Sequence, residues 1–157
     1  MGVKNYRDLA VWQQAMELVV AVYRLIEQLP REEQFALGNQ LRRAVVSIPS
    51  NIAEGFGRDS HKDFARFLVQ SRGSLFEVGT QLEVASRLGY VEVADSIRLQ
   101  IEVLSKMLGS FIRKLRDSSD SPIPNPQSPS TKHQSPIPNP QSPSTKHQAP
   151  STKHQAL

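Results

Sequence analysis

Apolar residues recur every three or four positions through four stretches of the chain, which is the spacing of an α-helix with one buried face. The stretches span residues 6–29, 32–57, 61–88 and 92–116, and none alternates with the period of two that a strand requires. The second stretch has the clearest stripe, formed by Leu37, Leu41, Ala44, Val45, Ile48, Ile52 and Phe56. The pattern predicts four helices that pack their apolar faces together.

Turn signals separate the four predicted helices. Pro30 ends the first, because the residue before a proline is disfavoured in the α conformation. Ser60, with Asp63 three positions later, resembles a helix N-cap, and Gly89 is a typical C-cap. Since the connections are short, neighbouring helices are expected to be antiparallel, so the predicted fold is all-α, an up-down-up-down four-helix bundle over residues 1–117.

Pro49 lies inside the second predicted helix. A proline there removes the hydrogen bond to the Val45 carbonyl, so we expect a kink or a short break near residues 47–50. The apolar stripe keeps its phase across the proline, which favours the kink. Gly55 and Gly57 then provide stop signals for this helix.

The composition changes abruptly in residues 118–157. The segment SPIPNPQSPSTKHQ at 121–134 recurs without a substitution at 135–148, and PSTKHQ follows at 150–155. Dense proline and few apolar residues predict a disordered tail. The exact repeat is typical of duplicated DNA, and a proline-rich ligand for a partner domain is the alternative.

Three of the predicted helices carry more apolar residues than one buried face needs. On the fourth, Leu99, Val103 and Met107 form a second row beside the core stripe, and on the third, Val69 and Phe76 lie off the stripe. The first helix has a similarly wide apolar arc. Such surplus surface is typical of a subunit interface, so a homo-oligomer is predicted. The alternative is a small bundle that buries wide arcs by itself.

Basic residues form stripes even though residues 1–117 are nearly neutral, with 16 Lys and Arg against 14 Asp and Glu. Such a stripe is suited to tracking nucleic-acid phosphates. The alternative is an ordinary solvated face with ion pairs along each helix. The candidate phosphate contacts are Arg42, Arg43, Arg58, Lys62, Arg66, Arg98, Lys106, Arg113 and Arg116.

Several kinds of chemistry lack the residues they need. The chain has no cysteine, and His61 is the only histidine in residues 1–117, so no thiolate site or paired-histidine metal site is expected. Phosphate-binding loops of the GxxxxGK[ST] and GxGxxG types are absent as well. We therefore expect no enzyme activity, no metal and no cofactor. No apolar run approaches the roughly 20 residues that span a bilayer, so a cytoplasmic protein is expected.

Three stretches carry a family resemblance: YRDLAVWQQAMELV at 6–19, QLRRAVVSIPSNIAEGFGR at 40–58 and DFARFLVQSRGSLFEVGTQLEVASRLGY at 63–90. They resemble the bacterial four-helix-bundle proteins encoded in intervening sequences of 23S ribosomal RNA genes. The accessory variability protein of diversity-generating retroelements belongs to the same group. The resemblance covers nearly all of 1–117 and excludes the tail.

The resemblance implies a barrel-like homopentamer. In the retroelement branch it also implies a basic barrel that binds nucleic acid and a reverse transcriptase. The signature matches at Arg43, Ser50, Asn51, Glu54 and Gly55, for which a structural role is implied.

Together these observations predict a non-enzymatic, homo-oligomeric accessory protein that binds RNA or DNA. Two alternatives stay open at this point. One is a homo-oligomeric scaffold that docks another protein without nucleic acid, and the other is a passenger protein without a selected host function.

Overall fold

The structure is a computed structural model that describes residues 3–118. The chain divides into two units, and every described residue lies in the first, Met1–Gln127. Within residues 3–118, a 3₁₀ turn at Tyr6–Asp8 precedes five α-helices, of which four are long. In chain order they are α1 (Ala10–Ile26), α2 (Arg31–Phe35), α3 (Leu37–Phe56), α4 (His61–Arg87) and α5 (Asp95–Asp117). The prediction of an all-α bundle is confirmed.

The apolar stripes form one continuous core between the four long helices. Each helix contributes side chains that are almost fully buried, because its apolar positions fall on one face. The largest of them are Leu18, Val22 and Ile26 from α1, Leu41, Val45, Ile48 and Ile52 from α3, Leu68, Leu75 and Val78 from α4, and Leu104 and Leu108 from α5.

Contacts between α3 and α4 run in opposite directions along the two helices. Ser47 Oγ lies 2.5 Å from Ser74 Oγ, whereas Gly55, two turns further along α3, packs on Phe64 and Phe67 at the beginning of α4. The contacts between α4 and α5 also run in opposite directions along the two helices.

For that second pair, the Phe64 and Phe111 rings meet edge-to-face with centroids 5.1 Å apart. At the other end of the two helices, Glu83 lies beside Arg98. The beginning of α4 therefore lies beside the end of α5.

The second predicted helix is interrupted at Ala36 and not at Pro49. Ala36 has φ −89° and ψ −90°, which separates α2 from α3, while α3 continues through Pro49. The helix therefore does not break at the proline, and the kink that the phase of the stripe favours stays a prediction. Carbonyls around the proline have side-chain donors, because Ser50 Oγ donates to Val46 O (2.8 Å) and Asn51 Nδ2 donates to Ser47 O (2.8 Å).

The other helix boundaries differ from the prediction by a few residues. α1 begins at Ala10 and not at residue 6, since the 3₁₀ turn comes first. α5 begins at Asp95 and not at residue 92, because the preceding segment buries Val93 in the core. Local apolar spacing does not distinguish these buried lead-in residues from helix.

Two caps are confirmed. Ser60 Oγ accepts a hydrogen bond from the Asp63 N–H (3.1 Å) at the beginning of α4. Gly89 has φ +70° after the end of α4, and the neighbouring Tyr90 N–H donates to Ala85 O (3.0 Å), which is the Schellman arrangement. Gly57 is the C-cap of α3, as predicted, with a φ of −79°, whereas Gly55 lies inside the helix.

The predicted tail disorder falls almost entirely outside the described residues. So do the repeats within it.

Candidate nucleic-acid interface

One end of the bundle collects five of the nine predicted phosphate contacts. At this end His61 Nδ1 lies 3.1 Å from Ser118 O, so the beginning of α4 meets the end of α5. The end of α3 is also here, because Gly55 packs on Phe64. The five residues are Arg58, Lys62, Arg66, Arg113 and Arg116.

The charges of the bundle are polarised from end to end. α1 begins at this same end, since its last residue, Ile26, packs on Gly38 at the beginning of α3. Eight cations and five carboxylates lie at this end, whereas five cations and six carboxylates lie at the opposite end. The eight cations are Lys4, Arg7, Arg58, Lys62, Arg66, Arg113, Lys114 and Arg116. A nearly neutral bundle therefore has a basic end, which favours approach of an anion from that side.

Ion pairs engage two of these arginines. Arg58 pairs with Glu54 one turn back on α3, and its guanidinium lies 4.6 Å from the centre of the Phe67 ring. Arg66 Nη1 lies 3.7 Å from Asp63 Oδ1, and both side chains are largely exposed. Exposed pairs of this kind are worth at most about 1 kcal/mol, so a phosphate competes with them readily.

The other half of the α5 basic stripe lies away from the basic end and is paired. Arg98 Nη1 lies 3.4 Å from Glu83 Oε2, and Lys106 Nζ lies 2.6 Å from Glu102 Oε1. Hydrogen bonds from Arg87 and Arg98 lower the pKa of Glu83 below its ordinary value, and the Lys106 ammonium lowers the pKa of Glu102. The basic residues of α5 therefore fall into two groups. Arg98 and Lys106 form ion pairs, and Arg113 and Arg116 lie at the basic end.

Arg42 holds the α2–α3 junction together. Its Nη1 donates to Gln34 O (2.9 Å) and to Asn39 Oδ1 (3.0 Å), and its guanidinium lies 6.0 Å from the centre of the Tyr23 ring. These contacts satisfy a carbonyl that the helix break leaves free. Arg43 is exposed on another face of α3, so the two adjacent arginines do not form one basic patch.

Arg72 is a basic residue that belongs to none of the stripes predicted from the sequence. A Cβ atom added to Gly109 would lie 3.7 Å from Arg113 Nη1 and 3.9 Å from Arg72 Nη1. The two guanidinium groups thus meet over a glycine where α4 and α5 pack. Within residues 3–118, neither forms an ion pair with a carboxylate, and Arg113 donates only to Ser110 Oγ (3.1 Å). No signal in the sequence pairs them, because their proximity depends on the register of two helices.

The five predicted interface residues differ in their exposure. Leu99 and Val103 are exposed on α5, at 59% and 39% of their surface. Met107 and Val69 are half-buried and pack against the core. Phe76 is 55% exposed and lies in a groove, which the other four do not line.

This α4/α5 groove encloses about 520 Å³ and is mainly apolar. Ile101 lines it from α5, and the residues that line it from α4 are Leu75, Phe76, Gly79, Thr80, Val84 and the ion-paired Glu83 and Arg87. Gly79 leaves the groove wide, because a Cβ added there would only touch Ile101 Cγ2, at 4.0 Å.

Two further points concern residues 3–118. No helix in this part of the chain is long and apolar enough to cross a membrane. In the same residues, no three His, Asp or Glu side chains are grouped so that they would hold a metal ion.

Comparison with known proteins identifies the family of the chain. Of the solved structures, one from Bacteroides thetaiotaomicron, described as a protein with unknown function from the S23 ribosomal protein family, matches with 27% identity and a TM-score of 0.60. The match covers 66% of this chain and 95% of that one. No curated protein matches. The sequence model of the 23S rRNA-intervening sequence proteins matches residues 7–110, so the chain belongs to the 23S rRNA-intervening sequence protein family.

Proposed function

We propose that this protein is a non-enzymatic, homo-oligomeric accessory protein that binds the phosphate backbone of RNA or DNA. The observation that carries the proposal is the polarised charge, with eight cations against five carboxylates at one end. Arginine predominates among the cations, and its planar guanidinium suits bidentate contacts to phosphate. The family connection with ribosomal RNA genes makes RNA the first ligand to test.

Homo-oligomerisation supports this function, because symmetry repeats the basic end in every subunit. Leu99 and Val103 expose an apolar row that costs free energy in water and is typical of a subunit contact. On α1, Met16, Val20 and Tyr23 are exposed as well. A pentamer is the stoichiometry that the family resemblance implies. In an assembly of this kind, several modest phosphate contacts add up to a stable complex.

The first experiment measures binding of the full chain to a labelled RNA by fluorescence anisotropy at two salt concentrations. Affinity is expected to fall steeply with salt, because phosphate binding releases counterions. The combined substitution Lys62→Gln, Arg66→Gln and Arg116→Gln should weaken binding and reduce the salt slope. Arg24→Gln, Arg31→Gln and Arg87→Gln together are the matched control at the opposite end, since they also remove three positive charges. Equal loss in both variants, or no binding at low salt, would refute the proposal.

The second experiment measures the mass of the full chain by light scattering. Leu99→Glu with Val103→Glu should lower the mass to that of a smaller species, because two buried carboxylates would be desolvated at the contact. If the mass stays oligomeric in this variant, the apolar row is still free in the assembly. That result would favour the scaffold alternative, in which the row docks another protein.

A further inference from the structure

We propose that the outer side of the α4/α5 pair binds single-stranded nucleic acid, with Arg72 and Arg113 on one phosphate and Phe76 stacked on the adjacent base. The proposal rests on the nucleic-acid binding proposed above and specifies its site and its ligand. None of the basic stripes apparent in the sequence contains Arg72, and the sequence pattern alone places Phe76 in a subunit contact. Arg72 becomes a neighbour of Arg113 only in the fold.

The arginine pair has the geometry of a phosphate clamp. Both Nη1 atoms are in van der Waals range of one point, the position of a Cβ on Gly109. Two like charges held this close repel each other, and a bound phosphate replaces that repulsion with charge-assisted hydrogen bonds. The glycine leaves the point between them open. Because no carboxylate within residues 3–118 pairs with either guanidinium, an incoming phosphate displaces no ion pair.

Phe76 is in position to stack on a base beside this clamp. It lies four residues after Arg72 on α4, so the two side chains are neighbours on one face, about one helical turn apart. That separation matches the span of one nucleotide. The ring is 55% exposed, and the groove around it gives a flat base room beside Gly79 and Ile101. An aromatic platform next to a basic track is the recurrent arrangement of single-strand binding sites.

A duplex does not fit this arrangement. Its bases are stacked on each other and paired, so they offer no free face to Phe76. The duplex phosphates would still reach the exposed arginines and lysines at the basic end. We therefore expect the groove to discriminate single strands from duplexes, and the basic end to bind both.

The experiment compares two probes with the full chain. One is a labelled single strand of about 10 pyrimidine nucleotides, and the other is an abasic strand with the same number of phosphates. Phe76→Ala should weaken binding of the normal strand about fivefold or more and leave the abasic strand unchanged, because only the base stacks. Phe35→Ala is the matched control, since Phe35 is another exposed phenylalanine, 72% exposed on α2.

The clamp is tested by Gly109→Glu. The new carboxylate would lie between Arg72 and Arg113 and pair with them, and glutamate is a better helix former than glycine, so folding is not endangered. Affinity for both probes should fall to the same extent, and the salt slope should decrease by about 0.7 for each phosphate that the variant no longer binds. Gly73→Glu, on an open face of α4 with nothing within 4 Å of its added Cβ, controls for the added charge.

Three results would overturn the proposal, and they differ from failure of the function itself. If the wild type binds the normal strand but Phe76→Ala changes nothing, or weakens both probes alike, no base stacks on Phe76 and the function still stands. If Phe76→Ala lowers the oligomer mass, the groove is a subunit contact. If Gly109→Glu lowers the affinity no more than Gly73→Glu does, Arg72 and Arg113 do not hold a phosphate together. Absence of any binding by the wild type refutes both proposals.

Discussion

Replacing Gly55 with alanine tests the closest approach between two helices of the bundle. A Cβ on Gly55 would lie 2.7 Å from Phe64 Cδ2 and 2.7 Å from Phe67 Cβ. Carbon atoms pack best at about 3.5–4.0 Å, so the two helices have to separate locally or the Phe64 ring has to turn. The Phe67 Cβ atom is fixed to the backbone and cannot turn away.

The magnitude follows from two opposing effects. Overpacking a well-packed contact costs about 1–3 kcal/mol, and alanine recovers up to about 1 kcal/mol of helix propensity. Because Phe67 Cβ cannot turn away, the overpacking cost lies in the upper part of its range, and we expect Gly55→Ala to reduce the free energy of unfolding by about 1–2 kcal/mol. Gly73→Ala is the matched control, because its added Cβ meets nothing within 4 Å. It should instead increase the free energy of unfolding by about 0.5–1 kcal/mol.

The assay is urea unfolding of the full chain, followed by far-ultraviolet circular dichroism and extrapolated linearly to water. All variants are compared at one protein concentration, because oligomerisation makes apparent stability depend on concentration. Opposite signs for the two substitutions are expected. If Gly55→Ala is as stable as the wild type, the close contact between α3 and α4 is not as described and the reasoning fails.

Three further predictions concern single residues. Ser60→Ala should reduce the free energy of unfolding by about 1 kcal/mol in the same assay, because the Asp63 N–H loses its cap; a smaller effect from Ser60→Asp would confirm the mechanism. Gly89→Ala should also destabilise, by about 1 kcal/mol, since its φ of +70° strains an L-residue, whereas a neutral result would contradict this conformation. The pKa of Glu83, measured by NMR titration, should rise toward its ordinary value in Arg87→Gln; the stabilisation from this carboxylate is present above its ordinary pKa and is lost as the pH falls through the lowered value.

The helices and their caps were predictable because their signals are local. The spacing of Leu41, Val45, Ile48 and Ile52 indicates a buried helical face without knowledge of any partner. The break at Ala36 was not predictable, since no glycine or proline marks it and the side chain of Arg42, six residues later, satisfies a carbonyl there. Local rules expect a proline to disturb a helix, yet α3 continues through Pro49.

The candidate site was predictable only in part. The basic residues at the beginning of α4 and at the end of α5 are visible as stripes, and the short connections bring them to one end. The pairing of Arg98 with Glu83 reduced the stripe on α5, because an acidic residue on another helix lies opposite. The same register brought Arg72 to Arg113, which no spacing within one helix indicates.

The sequence by itself determined which segments are helical, which face of each is buried and where the helices are capped, since these depend on neighbours within one or two turns. The tertiary structure alone decided which side chains meet across helices. The contact of Gly55 with Phe67 and the convergence of Arg72 and Arg113 over Gly109 are both of this kind. Their common cause is the relative register of packed helices, which depends on how whole side-chain surfaces interlock and is not encoded in any single stripe.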